Sequence, residues 1–216
     1  DARIVGERLQ TTQRGEGLNR QRSAQLYSEA QAVILGEVNS PARSWGAVGG
    51  TPIFFARGKG AHVWDADGNE YIDCVAGVGV ASVGHCNDFV IKAINEQANK
   101  LITCPEIFHN DTRARILQKL IDITPASLSH VFLCNSGTET IEAAIKFARF
   151  STKKTDFICA VRGFHGRTMG ALSATHKAHY KKEFEPLIPG FHHVPFNDFE
   201  KLKNIVNDNT CGIILE

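Results

Sequence analysis

No apolar run in this sequence approaches the ~20 residues that a membrane-spanning helix needs, so no membrane partner is expected. Charge of one sign is also missing. There are 24 Lys and Arg against 23 Asp and Glu, a formal net charge of +1. Such a balance generates no strong field toward nucleic acid or anionic lipid. The first ten residues, DARIVGERLQ, hold no apolar core of the kind a secretory signal carries. No CxxC pair occurs among the six cysteines, Cys74, Cys86, Cys104, Cys134, Cys159 and Cys211. Three of them (Cys134, Cys159 and Cys211) lie in or beside apolar strand-like runs, where a thiol behaves as a small hydrophobe. We read all six as reduced and the protein as cytoplasmic.

Several chemical signatures are absent as well. No GxGxxG follows a strand-like run, which excludes a dinucleotide fingerprint, and no GxxxxGK(S/T) marks a nucleotide P-loop. No GxSxG elbow points to a hydrolase. The pairs His176/His179 and His192/His193 stand among Lys and aromatic residues, without the Glu of a zincin motif. No metal is expected there. The basic cluster Lys177, Lys181 and Lys182 reads as a solvated face. Internal repeats and low-complexity tracts are missing.

What is present is an ordinary globular composition: 216 residues, 43% hydrophobic and 22% charged. That length suits one large domain or one and a half small ones. The chain opens at Asp1 and closes on the apolar run GIILE, which leads us to expect a piece of a longer protein. Residues 1–22 are polar and aperiodic and read as a mobile arm. Residues 23–35 have helical spacing, with Leu26, Ala30, Val33 and Ile34 on one side. Residues 36–52 are dense in Gly, Pro, Ser and Asn and form a loop. Residues 61–73 predict a β-hairpin turning at Asp67-Gly68. After a glycine-rich loop, Asp88 is the expected cap of a helix to about Ile102, with Ile91, Ile94, Ala98 and Leu101 inward. A second helix is expected over 111–123, with Ile116, Leu117, Leu120 and Ile121 as its apolar face.

Beyond that point strands and helices alternate. Strands are expected at 131–134, 156–161, 191–196 and 212–215, and helices at 139–150 and from Asp198 to about Asn207. Apolar strands alternating with amphipathic helices predict an α/β fold with a mostly parallel sheet covered on both faces. Ligands of such sheets gather at the carboxyl ends of the strands. Ser136, Phe164 and Glu216 fall at or just beyond such ends.

Two segments carry candidate chemistry. In Asn135-Ser136-Gly137-Thr138, Gly137 lets the backbone approach an anion, Ser136 and Thr138 offer hydroxyls, and the following helix dipole favours negative charge. The same residues also read as a plain helix cap, because Ser136 with Glu139 fits a capping box. In Gly163-Phe164-His165-Gly166-Arg167-Thr168, Phe164 suits stacking on a flat heterocycle, His165 suits its edge, and Arg167 suits a substrate carboxylate. An ordinary loop with a buried Phe and a surface Arg accounts for the same letters. Glu216 closes an apolar strand, where a carboxylate often faces a cleft.

The ordered set WDADGNEYID, GHC, NSGTETIEAAIKFAR, GFHGRTMGALSAT and IILE resembles the class III (ω-amino acid) pyridoxal-phosphate aminotransferases over roughly residues 52–216. The central portion is most similar to acetylornithine-type members. The resemblance implies a fold-type-I transferase and pyridoxal 5′-phosphate (PLP) as cofactor. It also implies amino-acid and 2-oxo-acid substrates and a homodimer with active sites at the interface. Residues 23–80 would belong to the small domain, and 81–216 to the first part of the large cofactor domain. Carried over position by position, Ser136, Gly137 and Thr138 match the phosphate-binding motif. Phe164 matches the stacking aromatic, His165 its neighbour, and Glu216 a residue near the cofactor. Arg167 matches a substrate-carboxylate contact. The Schiff-base lysine and the Asp that pairs with the pyridine nitrogen are expected beyond residue 216. No catalytic residue is therefore assigned within the chain, and the 216 residues alone are expected to be inactive.

Residues 36–54, GEVNSPARSWGAVGGTPIF, resemble instead the start of the glutamate-1-semialdehyde 2,1-aminomutases, in which the position of Arg43 binds the substrate carboxylate. Those enzymes usually carry His where Arg167 stands. The alternatives to ω-amino transfer are thus intramolecular amino transfer on the same scaffold, or a non-catalytic truncated homologue.

Overall fold

The computed structural model describes residues 17–35, 38–40, 49–50 and 52–216. Arg43 lies outside them. Two compact units divide the chain, Asp1–Phe108 and His109–Glu216.

In the first unit, helix α1 (Gln21–Gln31) begins two residues earlier and ends four earlier than its apolar spacing predicts. The cause is tertiary. Asp67, in the hairpin turn, accepts the N–H groups of Arg22 and Ser23 at 2.7 and 2.9 Å, so a distant carboxylate sets the helix start. The expected hairpin is present as β2 (His62–Asp65) and β3 (Glu70–Ile72), paired antiparallel. Asp65 holds its turn by accepting from the Asp67 and Asn69 N–H groups and from the Tyr71 hydroxyl. A third strand, β1 (Phe55–Lys59), pairs with β2 and was not evident from the sequence pattern. The glycine-rich loop contains a short turn, α2 (Ala76–Gly79), in which all four residues have positive φ. Helix α3 (Asp88–Ala98) follows. Its cap is Asn87, whose side chain accepts from Phe89 and Val90 N–H, and not Asp88. Asp88 is the first helical residue and pairs with Lys59 at 2.6 Å. The face expected to point inward is open, with Ile94 60% exposed.

In the second unit, α4 (Asp111–Ile123) matches its expected span and is capped by Asn110. Helix α5 (Gly137–Thr152) leads into β4 (Asp156–Ala160). A six-residue helix, α6 (Met169–Ala174), precedes β5 (Phe191–Val194). Helix α7 (Phe199–Ile205), capped by Asp198 as expected, leads into β6 (Thr210–Ile214). The sheet order is β5-β4-β6, and both pairings are parallel. As the central strand, β4 is buried on both faces, with Ile158 and Cys159 fully enclosed. Burial pushes the Cys159 thiol up to about 12, so it stays a neutral core residue. The core joins Ile145 of α5, Phe157 and Cys159 of β4 and Ala174 of α6, with Ile141, Ala148, Phe191, Cys211 and Ile214 around them.

Residues 131–134 do not form the strand their apolar run predicts. A strand needs a ladder partner, and none stands beside this run among the described residues. Phe132 and Leu133 remain exposed. None of the six cysteines is in a disulfide. Among the described residues no helix is long and apolar enough to cross a membrane.

Candidate active site

The candidate residues that the structure describes all lie in the second unit. Ser136 is the cap of α5, and its side-chain oxygen accepts from the Glu139 N–H at 3.3 Å. The Glu139 carboxylate reaches back to the Asn135 N–H at 2.6 Å. The capping box read from the sequence thus forms with its return bond shifted one residue, onto the N–H before the cap. It does not exhaust the donors, however. The N–H groups of Gly137 and Thr138 are first-turn donors with no helical acceptor. The Ser136 hydroxyl proton likewise meets no acceptor among the described residues. A Cβ added at Gly137 would meet nothing within 4 Å, so α5 starts with open space on the Gly137 side. Cap and anion cup are thus compatible uses of the same residues.

The loop after β4 lies directly on this cup. A Cβ at Gly166 would fall 2.2 Å from the Thr138 hydroxyl oxygen, so the backbone approaches as closely as only glycine permits. Two residues earlier, Phe164 is 48% exposed and meets Tyr180 edge-on at 6.1 Å, which leaves ring surface available. The backbone N–H of Phe164 donates to the Glu216 carboxylate just past β6. The carboxyl ends of two neighbouring parallel strands are tied together by this bond. Here Glu216 acts on the loop backbone.

His165 points the other way. It is buried, its N–H donates to the Thr175 hydroxyl at 3.0 Å, and its Nε2 has no hydrogen-bond partner. Its ring lies under the loop near Gly163. Burial lowers its basicity, partly offset by the nearby Glu216 charge. His193, half-buried, shifts the same way, again chiefly through burial. In both, the unfolded chain binds a proton more readily than the folded one. Stability is then full above the ordinary histidine range near 6.5 and declines as pH falls from there toward the depressed folded value. Denaturation midpoints at pH 7.5 and 5.5 should show this decline, and His165→Gln should reduce it; an unchanged decline would refute the assignment.

Arg167 is exposed on the same loop. The structure thus brings Ser136, Gly137, Thr138, Phe164, His165, Arg167 and Glu216 into one region of one unit. Among the described residues there is no cluster of three or more His, Cys, Asp or Glu able to hold a metal. Sequence reasoning missed Glu142. Its carboxylate accepts from the Thr168 hydroxyl at 2.5 Å and from the Gly170 and Ala171 N–H groups at 2.8 and 3.1 Å. A signal existed in the sequence: Thr168, like Ser136, is a hydroxyl residue immediately before a helix, but its acceptor stands 26 residues away.

Residues 45–216 match the family model of the class-III aminotransferases. The chain belongs to that family. It is 47% identical over 165 residues to an acetylornithine aminotransferase of Methanopyrus kandleri, covering 76% of this chain and 42% of that protein. Among solved structures it resembles the ornithine aminotransferase of Toxoplasma gondii, with 27% identity and a TM-score of 0.78, covering 89% of this chain and 45% of the other. A second structure of that enzyme, with 28% identity and a TM-score of 0.71 over 88% of this chain and 47% of the other, has PLP at partial occupancy in its active site. The chain spans about two-fifths of the length of its curated relative. The fold is that of the fold-type-I aminotransferases.

Proposed function

We propose that this chain carries the cofactor-anchoring part of a PLP-dependent ω-aminotransferase. The reaction moves an amino group from a donor of the acetylornithine, ornithine or 4-aminobutyrate kind to a 2-oxo acid such as 2-oxoglutarate. One observation supports this reading above the others. The first-turn donors of α5 lie where the loop that carries the exposed Phe164 ring makes its closest approach, Gly166 against Thr138. The donor set suits a phosphate monoester: two backbone N–H groups, one serine hydroxyl and the positive end of a sixteen-residue helix. Phe164 suits the face of a pyridine ring, and Glu216 holds the Phe164 backbone in place for it. Buried His165 supports the loop from below. Arg167 is assigned to the substrate carboxylate, which its planar fork matches. Bound in this way, PLP supplies an electron sink for a carbanion on the amino donor. The residues here bind, orient and enclose. The active protein is a cytoplasmic homodimer with its sites at the interface.

Ser136→Ala tests the anchoring. It removes one of three donors and a cap, the latter at a cost of about 1 kcal/mol. In the intact protein we expect affinity for PLP to fall about tenfold, the factor for ~1.4 kcal/mol, while affinity for unphosphorylated pyridoxal holds. Equal losses for both ligands would remove Ser136 from the anion site. Failure of the intact protein to form glutamate from 2-oxoglutarate with any ω-amine would end the aminotransferase reading.

A further inference from the structure

We infer that Glu142 is a positioning residue, and that the Thr138 hydroxyl serves a latch between α5 and the Phe164 loop instead of the anion cup. The inference rests on the cofactor reading above and deepens it.

Proton direction decides what the two threonine hydroxyls do. Thr138 Oγ1 and Thr168 Oγ1 are 2.7 Å apart, so one hydroxyl donates to the other. A carboxylate has no proton to give, so between Glu142 and Thr168 the donor is the Thr168 hydroxyl. That hydroxyl has a single proton, and it is committed to Glu142. The proton between the two threonines therefore belongs to Thr138 and points at Thr168. The Thr168 N–H donates to Thr138 Oγ1 at 3.4 Å, in keeping with this direction. Of the two hydroxyls that the sequence places at the cup, only that of Ser136 keeps its proton for an anion.

Two glycines show that the contact is built for closeness. A Cβ at Gly166 would overlap Thr138, and one at Gly170 would fall 2.4 Å from Glu142 Oε2. Glu142 Oε1 also takes the Gly170 and Ala171 N–H groups, which fixes the start of α6. A single carboxylate on the second turn of α5 thus holds the far end of the loop whose near end carries Phe164. When Glu142 is in place, the ring and the phosphate donors keep a set separation. Without it, the far end loses its carboxylate tie to α5, and only the near end stays held, by Glu216 and by the Thr175 hydroxyl.

The test measures PLP and unphosphorylated pyridoxal binding to the intact protein. Glu142→Ala is expected to weaken both ligands by a common factor of about tenfold, leaving their ratio within about twofold of the wild type. Glu142→Gln, which keeps an acceptor oxygen, should recover most of the loss. In a Phe164→Ala background, Glu142→Ala should cost almost nothing further, because there is no ring left to place. A loss that persists in that background would mark a merely structural role and overturn the inference. So would unchanged binding, or a loss confined to PLP, which would return the hydroxyl to the anion site. If Glu142→Ala does not fold, Thr168→Val cuts the same chain while leaving the Glu142 carboxylate on the Gly170 and Ala171 N–H groups, and the same cycle decides. A wild type with no preference for PLP over pyridoxal would instead defeat the phosphate-cup reading, while the coupling to Phe164, measured with pyridoxal, would still judge the latch.

Discussion

Gly166→Ala should cost the intact protein about a hundredfold in PLP affinity, the factor for roughly 2.7 kcal/mol. Two effects add. At a φ of 138° the backbone lies where side chains other than glycine are strained, at a cost of order 1–3 kcal/mol. The new methyl would also overlap Thr138 Oγ1 and Cβ, at 2.2 and 2.6 Å. Neither atom belongs to a flexible tip, since Thr138 is in the first turn of α5. The loop must therefore lift, and Phe164 and Arg167 lift with it. Isothermal titration of the variant with PLP measures the loss. Binding within twofold of the wild type would show that the loop does not contribute to the site.

Phe157→Ala should be the most destabilising of the changes considered, at about 3–5 kcal/mol. Phe157 is 2% exposed on the central strand and stacks on Phe191 with ring centroids 5.4 Å apart and an interplanar angle of 12°. The Arg149 guanidinium stands 5.9 Å from both rings and donates to the carbonyls of Thr155 and Pro189. Deleting the ring opens a cavity at the junction of α5, β4 and β5, and loosens the arginine that ties the end of α5 to the sheet. Domain stabilities are commonly about 5–15 kcal/mol, so the loss is a large share of the total. Urea denaturation measures it, with Phe199→Ala as the contrast. Phe199 is 67% exposed, and its removal should fall within about 0.5 kcal/mol. Similar costs for the two variants would contradict the core described here.

Legibility in the sequence followed the range of the interactions. The hairpin at 61–73 was readable because Asp65, Gly68 and Tyr71 act within six residues of one another. The α5 capping box was readable for the same reason, since Ser136 and Glu139 are three apart. The cap of α3 was misplaced by one residue because Asn87 and Asp88 are both good caps, and the pairing of Asp88 with distant Lys59 is invisible locally. The expected strand at 131–134 failed because an apolar run specifies extended backbone but not a partner. Long-range polar contacts were the least legible. Glu142 reads as one more exposed helix residue until Thr168, Gly170 and Ala171 are folded onto it. The Thr138 hydroxyl stands 2.7 Å from that of Thr168, thirty residues along the chain, a contact its local pattern does not announce.

The bond from the Phe164 N–H to Glu216 has a consequence for the order in which the protein assembles. The α5 cap closes across three residues and forms with the helix itself. The clasp between Phe164 and Glu216 spans 52 residues, so it bears a much larger loop-closure entropy and waits for β5, α7 and β6. During synthesis the first-turn donors of α5 are therefore in place before the Phe164 loop is clasped, which happens only when the third parallel strand arrives.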